Sequence, residues 1–172
     1  MGLLCSSAYD FGIGMGLASF QASVQQFELA REAFRDALLA ARAIINGGQI
    51  SEIDIKSDIS QRRLELMRGD IENQLRRHSN LLANSFRLGS TIGIAEGQVT
   101  SSDWQHTCTM ANHALRDAQQ VATENLPFLN ISLFREPLRL TSNFLEPRMD
   151  AHKSILELRK AYSDAILRAN TE

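Results

Sequence analysis

The sequence predicts an all-α protein that combines a long antiparallel helical hairpin with two shorter helices and oligomerises through coiled-coil-like seams. The 172 residues include 22 Leu and 19 Ala but only 3 Val, and helices favour Leu and Ala whereas sheets favour β-branched residues. Apolar residues recur at helical spacing along most of the chain. Three prolines, at positions 127, 137 and 147, leave the remainder free to be helical.

Composition also excludes several functional classes. The net charge of −2 provides no global basic field for nucleic acid, and two cysteines cannot form a disulfide framework, which fits a reducing compartment. The sequence contains no nucleophile paired with a base, no glycine-rich phosphate loop and no paired carboxylates, so we expect neither an enzyme nor a cofactor. His106, Met110 and His113 share a helix face, but no acidic or thiolate ligand completes a metal site.

The first segment, residues 1–20, is apolar, rich in small residues and carries one charged group, Asp10. Its glycines weaken an isolated helix, yet small residues four apart, Gly12 and Gly16, allow two helices to approach closely. The segment is interpreted either as a buried terminus or as one that contacts a membrane or another subunit. In the second case the contact residues are Leu3, Leu4, Phe11, Gly12, Ile13, Met15, Gly16 and Leu17.

An acylation pattern at the amino terminus supports a different hypothesis. The residues Met-Gly-Leu-Leu-Cys-Ser match the N-myristoylation pattern at Gly2, and Cys5 is placed to accept a palmitoyl chain. Two acyl chains anchor a protein firmly where one does not. This pattern predicts, as the alternative function, an acylated peripheral-membrane or adaptor protein that is cytoplasmic and membrane-associated.

The long hairpin is predicted over residues 21–97, and its first helix over 17–46. Two interleaved sets of residues recur every seven positions from Phe20 onwards, which is the spacing of a coiled-coil seam. The run Asn46-Gly47-Gly48 is a strong stop, because Asn and Gly accept the left-handed conformation that ends helices. The chain is therefore expected to reverse direction there.

The second helix of the hairpin begins within residues 51–58 and follows an eleven-residue apolar repeat. Helices of about 30 and 38 residues exceed what a compact domain of this size needs, so we expect copies to pack side by side, in a ring. The predicted oligomer seam consists of Phe20, Val24, Phe27, Phe34, Leu38, Ile45, Leu64, Met67, Ile71, Leu75, Leu82 and Phe86.

Arginine is concentrated on the arc of the second helix opposite its apolar stripe. The members of this arc are Arg62, Arg63, Arg76, Arg77 and Arg87, with Asp70 as the acidic residue among them. The arc is interpreted either as a solvated face or as a docking face for an acidic partner or for DNA phosphate. His78 lies on the apolar stripe itself, and we interpret it as a core or interface residue, with a pH switch as the alternative.

Glycine and proline define the remaining segments. Gly89, Gly93 and Gly97 lie four apart, which predicts a close helix–helix contact or a break. A third helix follows the cap cluster that ends at Asp103 and stops before Pro127. The chain thus divides into an N-terminal segment at 1–20, the hairpin at 21–97, the third helix at 98–125, an irregular apolar connection at 126–148 and a C-terminal helix at 149–172.

Residues 10–105 together resemble a known class of protein. A glycine-rich apolar terminus precedes long Gln/Arg/Ala helices that end in the small-residue stretch STIGIAEGQVTSS at 90–102. This organisation is similar to that of the small internal virion proteins, the core or ejection proteins, of short-tailed phages of the coliphage T-seven type. The resemblance implies a structural protein of the internal core near the portal, released at infection to help DNA cross the host envelope. The implied partners are copies of itself, portal or other core proteins, the host membrane, and DNA through phosphate contacts.

Overall fold

The computed structural model describes residues 2–53, 59–101, 104–126 and 147–168, and these residues form α-helices without any strand. The all-α class is therefore confirmed. The helices are α1 Gly2–Ser23, α2 Phe27–Asn46, α3 Gln61–His78, α4 Asn80–Val99, α5 Trp104–Asn125 and α6 Pro147–Arg168. Most of the predicted connection at 126–148 lies outside the described residues.

The first predicted helix is divided into two, so the prediction of one helix over 17–46 is wrong. The chain turns between α1 and α2 at residues 24–26, where Gln25 has a φ of 64°, a left-handed conformation that is uncommon for a residue other than glycine. The Gln26 amide closes the turn by donating to the Gln21 carbonyl oxygen at 2.9 Å. Since the turn is this short, α2 folds back antiparallel along α1.

The second predicted helix is divided at Ser79. Its backbone is extended there, with φ −161° and ψ 131°, and its amide donates to the Leu75 carbonyl at 2.8 Å. Its hydroxyl accepts from the Leu81 amide at 3.2 Å, so one serine ends α3 and caps α4. Serine is a preferred N-cap because its oxygen satisfies a free amide of the first turn.

The antiparallel hairpin of the structure is formed by α1 and α2 and does not span Asn46–Gly48. The helix stop itself is where it was predicted, because α2 ends at Asn46 and Gly48 has a φ of +79°. Beyond it, however, α3 packs against α1 and α4, while α5 packs against α4. The helices on either side of the Asn46–Gly48 turn therefore do not form the expected pair.

Helix α1 is the centre of the molecule. It makes its largest contacts with α4 and α2 and smaller ones with α3 and α6. Tyr9, Phe11 and Met15 are 0% exposed, and a helix that is apolar on every side is stable only when it is surrounded. Most side chains from Cys5 to Phe20 are thus buried within the fold, in line with the first interpretation.

Glycines set the contact between α1 and α4. A methyl group at Gly89 would meet the Tyr9 carbonyl oxygen, and one at Gly93 would meet that of Ile13. Gly97 faces the Phe20 ring. Residue numbers increase in the same direction along α1 and α4 from one contact to the next, so the two helices are parallel. The close contact predicted at these three glycines is confirmed.

Candidate functional site

Most of the residues predicted to contact a membrane or subunit lie inside the fold. Leu3 is 75% exposed, and Leu4 and Leu17 are half-buried. The other members are buried among α2, α3 and α4, namely Phe11, Gly12, Ile13, Met15 and Gly16. They can reach another molecule only if α1 leaves its position. Among the described residues, no helix combines the length and the apolar character that crossing a bilayer requires.

The predicted oligomer seam is mostly part of the core of a single chain. Seven of its members are buried there: Phe20, Phe34, Leu64, Ile71, Leu75, Leu82 and Phe86. Leu38, Ile45 and Met67 are half-buried, and only Val24 and Phe27, each 43% exposed, are open. The seven buried side chains therefore cannot form a seam between folded copies, because they already have partners in their own chain. Homo-oligomerisation stays a prediction that needs other surfaces.

The arginine arc does not form one continuous face, because the break at Ser79 separates Arg87 from the other four residues. Arg62, Arg77 and Arg87 are exposed, and Arg63 is half-buried. The Arg76 guanidinium forms a 3.0 Å ion pair with Glu72 one turn earlier, which reduces the positive charge available to a partner. His78, interpreted as a core or interface residue, is exposed at the end of α3, so it does not lie in the core, and an interface role stays a prediction.

A polar contact that the sequence analysis missed joins α1, α4 and α6. The Tyr9 hydroxyl donates to the backbone carbonyl of Arg159 at 2.9 Å. The Arg159 guanidinium donates to both carboxylate oxygens of Glu96, at 3.0 and 3.2 Å. We call Tyr9, Glu96 and Arg159 the polar clamp. Its members are separated by as many as 150 positions in sequence, so no local periodicity could have revealed it.

The environment of the polar clamp keeps its phenol neutral and its ion pair partly covered. Burial raises the pKa of Tyr9 well above its usual value of 10, although Arg159 partly counteracts this. Nearby, burial raises the pKa of Tyr162 to about 12. The Glu96 side chain is 11% exposed and that of Arg159 is 40% exposed. The polar clamp therefore consists of one neutral phenol and one ion pair, an arrangement suited to holding helices together.

A second polar contact holds the carboxyl half of α1. Arg68 of α3 donates to the Ser19 hydroxyl at 3.4 Å, and Ser19 is 4% exposed. Burial lowers the pKa of the Arg68 guanidinium, an effect that Glu65 and Glu72 partly offset. Polar groups of α3 and α6 thus contact α1 at both ends of its buried stretch.

The two cysteines are buried thiols. Cys5 is 2% and Cys108 is 5% exposed, and burial raises the pKa of both thiols, which lowers their reactivity. The Cys5 sulfur lies within hydrogen-bond reach of the Ser85 hydroxyl on α4. Palmitoylation of Cys5 would therefore require α1 to leave the core, as membrane contact through α1 would. Within the described ranges, no three His, Cys, Asp or Glu side chains are grouped to hold a metal ion.

Asp10 provides a test of the electrostatics around α1. The side chain is exposed, but loss of hydration next to the surrounding protein raises the pKa of its carboxyl group, and Arg159 partly offsets this. Because the folded-state pKa is the higher one, the unfolded chain releases its proton first as the pH rises, and the folded state loses stability through that window. We therefore expect Asp10→Asn to raise the free energy of unfolding at pH 7 and to have no effect below about pH 3.

Urea unfolding at both pH values measures this difference. Asp36→Asn on the exposed face of α2 is the matched control, and we expect it to change stability little at either pH. A loss of stability in Asp10→Asn at pH 7 would show instead that attraction to Arg159 outweighs the cost of burial.

A scan against protein-family models, a search of curated proteins and a search of solved structures each found no match for this chain.

Proposed function

We propose that this chain is a structural protein of the virion interior, located in the core near the portal and released at infection to help form a conduit for DNA across the host envelope. One observation supports this most directly. A 22-residue helix without lysine or arginine, and with Asp10 as its one acidic residue, lies at the centre of an otherwise water-compatible fold. A protein whose most apolar helix is covered by its own chain can be stored in water and exposed later.

The glycine contacts of α1 support the membrane step. Gly12 and Gly16 face the backbone of α4, and Gly14 on the other side faces Ala33 and Ala37 of α2. Contacts between small residues depend on close van der Waals packing, which is equally available in lipid, where the hydrophobic effect no longer drives helices together. Helix α1 can therefore exchange its partners in the fold for similar partners in a bilayer.

Exposed apolar side chains support contacts with other virion proteins. Val24, Phe27 and Leu29 are 43%, 43% and 48% exposed and lie within the six consecutive positions 24–29, which include the turn between α1 and α2. Clustered apolar exposure is typical of protein–protein contact. In this proposal they contact portal or core components or another copy of the chain, and the exposed arginines of α3 contact DNA phosphate.

The test is to prevent α1 from leaving α4. Ser85→Cys places a thiol beside Cys5, and Cys108→Ala in the same chain leaves these two as the only cysteines. We expect the reduced protein to release dye from loaded liposomes and the oxidised protein, with α1 joined to α4 by a disulfide, to release none. The control replaces Cys5 by Ser in the Ser85→Cys, Cys108→Ala chain, so that oxidation has no effect.

Two outcomes would contradict the proposal. If neither redox form causes leakage, the protein does not act on membranes through any segment. If the oxidised form leaks as fast as the reduced form, α1 is not the segment that engages lipid. Analysis of non-reducing gels establishes in each case that the disulfide has formed.

A further inference from the structure

We propose that α6 is an autoinhibitory element, and that the polar clamp through which it contacts α1 and α4 controls when α1 becomes available. This inference rests on the proposed function, because it concerns the step that exposes α1. Arg159 is its central residue, since its backbone carbonyl binds α1 and its guanidinium binds α4. Detachment of α6 breaks both contacts together.

The packing of α6 makes it the element that can detach first. Its contacts with α1 and α4 are far smaller than those between α1 and α4. From residue 151 onward, where its side chains are described, the buried residues of α6 are Ala151, Ile155, Tyr162, Ala165 and Ile166. Two of these are alanines, which contribute little apolar area. Elements with small buried contacts open at a lower free energy than the core does.

The exposure of the polar clamp makes it accessible to a competing group. The Arg159 side chain is 40% exposed, whereas Glu96 is 11% exposed and Tyr9 is 0% exposed. A partner carboxylate or phosphate can therefore reach the guanidinium from solvent and compete with Glu96. Loss of that pair leaves a covered carboxylate without its cation, which favours further opening of α6.

The first readout does not involve membranes. Cys5 belongs to the amino-terminal half of α1 and is 2% exposed, so its rate of alkylation in a Cys108→Ala chain reports opening around α1. We expect Arg159→Gln to raise the alkylation rate of Cys5 by about tenfold, because it removes a charge-assisted hydrogen bond to a covered carboxylate. The rate of liposome leakage should rise by a similar factor. We expect Arg159→Lys, which keeps the charge, to restore part of the protection.

Two further variants separate the proposal from general destabilisation. The double variant Glu96→Gln, Arg159→Gln should open no faster than Arg159→Gln, because both changes break one interaction and Glu96→Gln also removes the carboxylate charge that Arg159→Gln leaves unpaired. Leu115→Ala truncates a buried side chain of α5, a helix that packs on α4 and makes no large contact with α1. We expect Leu115→Ala to lower the overall stability. When the variants are compared at an equal fraction of folded protein, Cys5 alkylation and liposome leakage should be as fast as in the unsubstituted chain.

The outcomes distinguish this inference from the proposed function. If the unsubstituted chain leaks and Arg159→Gln changes neither alkylation nor leakage, the inference is overturned and the proposed function stands. If Arg159→Gln speeds alkylation but no variant ever leaks, the proposed membrane function is overturned, and with it the autoinhibitory role. If Leu115→Ala accelerates both rates as much as Arg159→Gln does, general loss of stability explains the effect and the inference is overturned.

Discussion

Replacing Gly93 by alanine is expected to lower the free energy of unfolding by about 3 kcal/mol, the upper range for overpacking a well-filled core. The added methyl group would overlap the Ile13 carbonyl oxygen and lie 2.8 Å from the Leu17 amide nitrogen. Both are backbone atoms of a central helix, so they cannot move aside as a flexible side chain would. Urea unfolding followed by far-UV circular dichroism measures the loss.

Gly69 provides a matched control for this substitution. It also lies within a helix, α3, but a methyl group there would meet no atom within 4 Å. Alanine is favoured over glycine in a helix, so Gly69→Ala should raise the free energy of unfolding by about 1 kcal/mol. A gain of stability in Gly93→Ala like that expected for Gly69→Ala would show that α1 and α4 are not in close backbone contact.

Truncation of Phe86 to alanine is expected to cost about 3–5 kcal/mol, the range for a large buried aromatic side chain. Phe86 is 1% exposed, and its ring packs against that of Phe11 with centroids 5.4 Å apart and an interplanar angle of 54°. Its removal leaves a cavity between α1 and α4. Thermal or urea unfolding, with a shift of the midpoint at unchanged slope, would report this loss.

The control for Phe86 also tests the assignment of the predicted seam to the core. Leu66→Ala removes an apolar side chain that is 67% exposed, and it should change stability by less than about 0.5 kcal/mol. The cost of Phe86→Ala should be the same at low and high protein concentration, since its partners are in its own chain. A loss that grows on dilution would place Phe86 at an interface between copies.

Two helix ends were predicted from capping residues, glycine and proline close to them in the sequence. The stop at Asn46 was predicted from the Asn-Gly-Gly run, and the structure ends α2 there. The third helix was predicted to begin after Asp103 and stop before Pro127, and α5 spans Trp104–Asn125. Capping residues, glycine and proline act through backbone geometry within a few positions, so their effect can be predicted from sequence alone.

The two breaks that were missed have no such signal. At Ser79 the apolar repeat continues across the break, and the only local cue is a serine, a residue that also occurs within helices. At residues 24–26 there is neither glycine nor proline, and Gln25 adopts a left-handed conformation that costs energy locally. The packing of α2 along α1 compensates for this strain, and that packing is not visible in a short window of sequence.

Sequence alone determined that the chain is helical and that its first twenty residues are apolar and rich in small side chains, because both follow from residue type and spacing. That this first segment forms the helix α1 was decided by the structure. Tertiary structure decided where those side chains lie. It placed Gly89 and Gly93 against α1 in a parallel pair, turned the predicted seam inward, and brought Tyr9 and Glu96 to Arg159. Burial and ion pairing depend on which surfaces meet in space, and only the packing of distant helices specifies that.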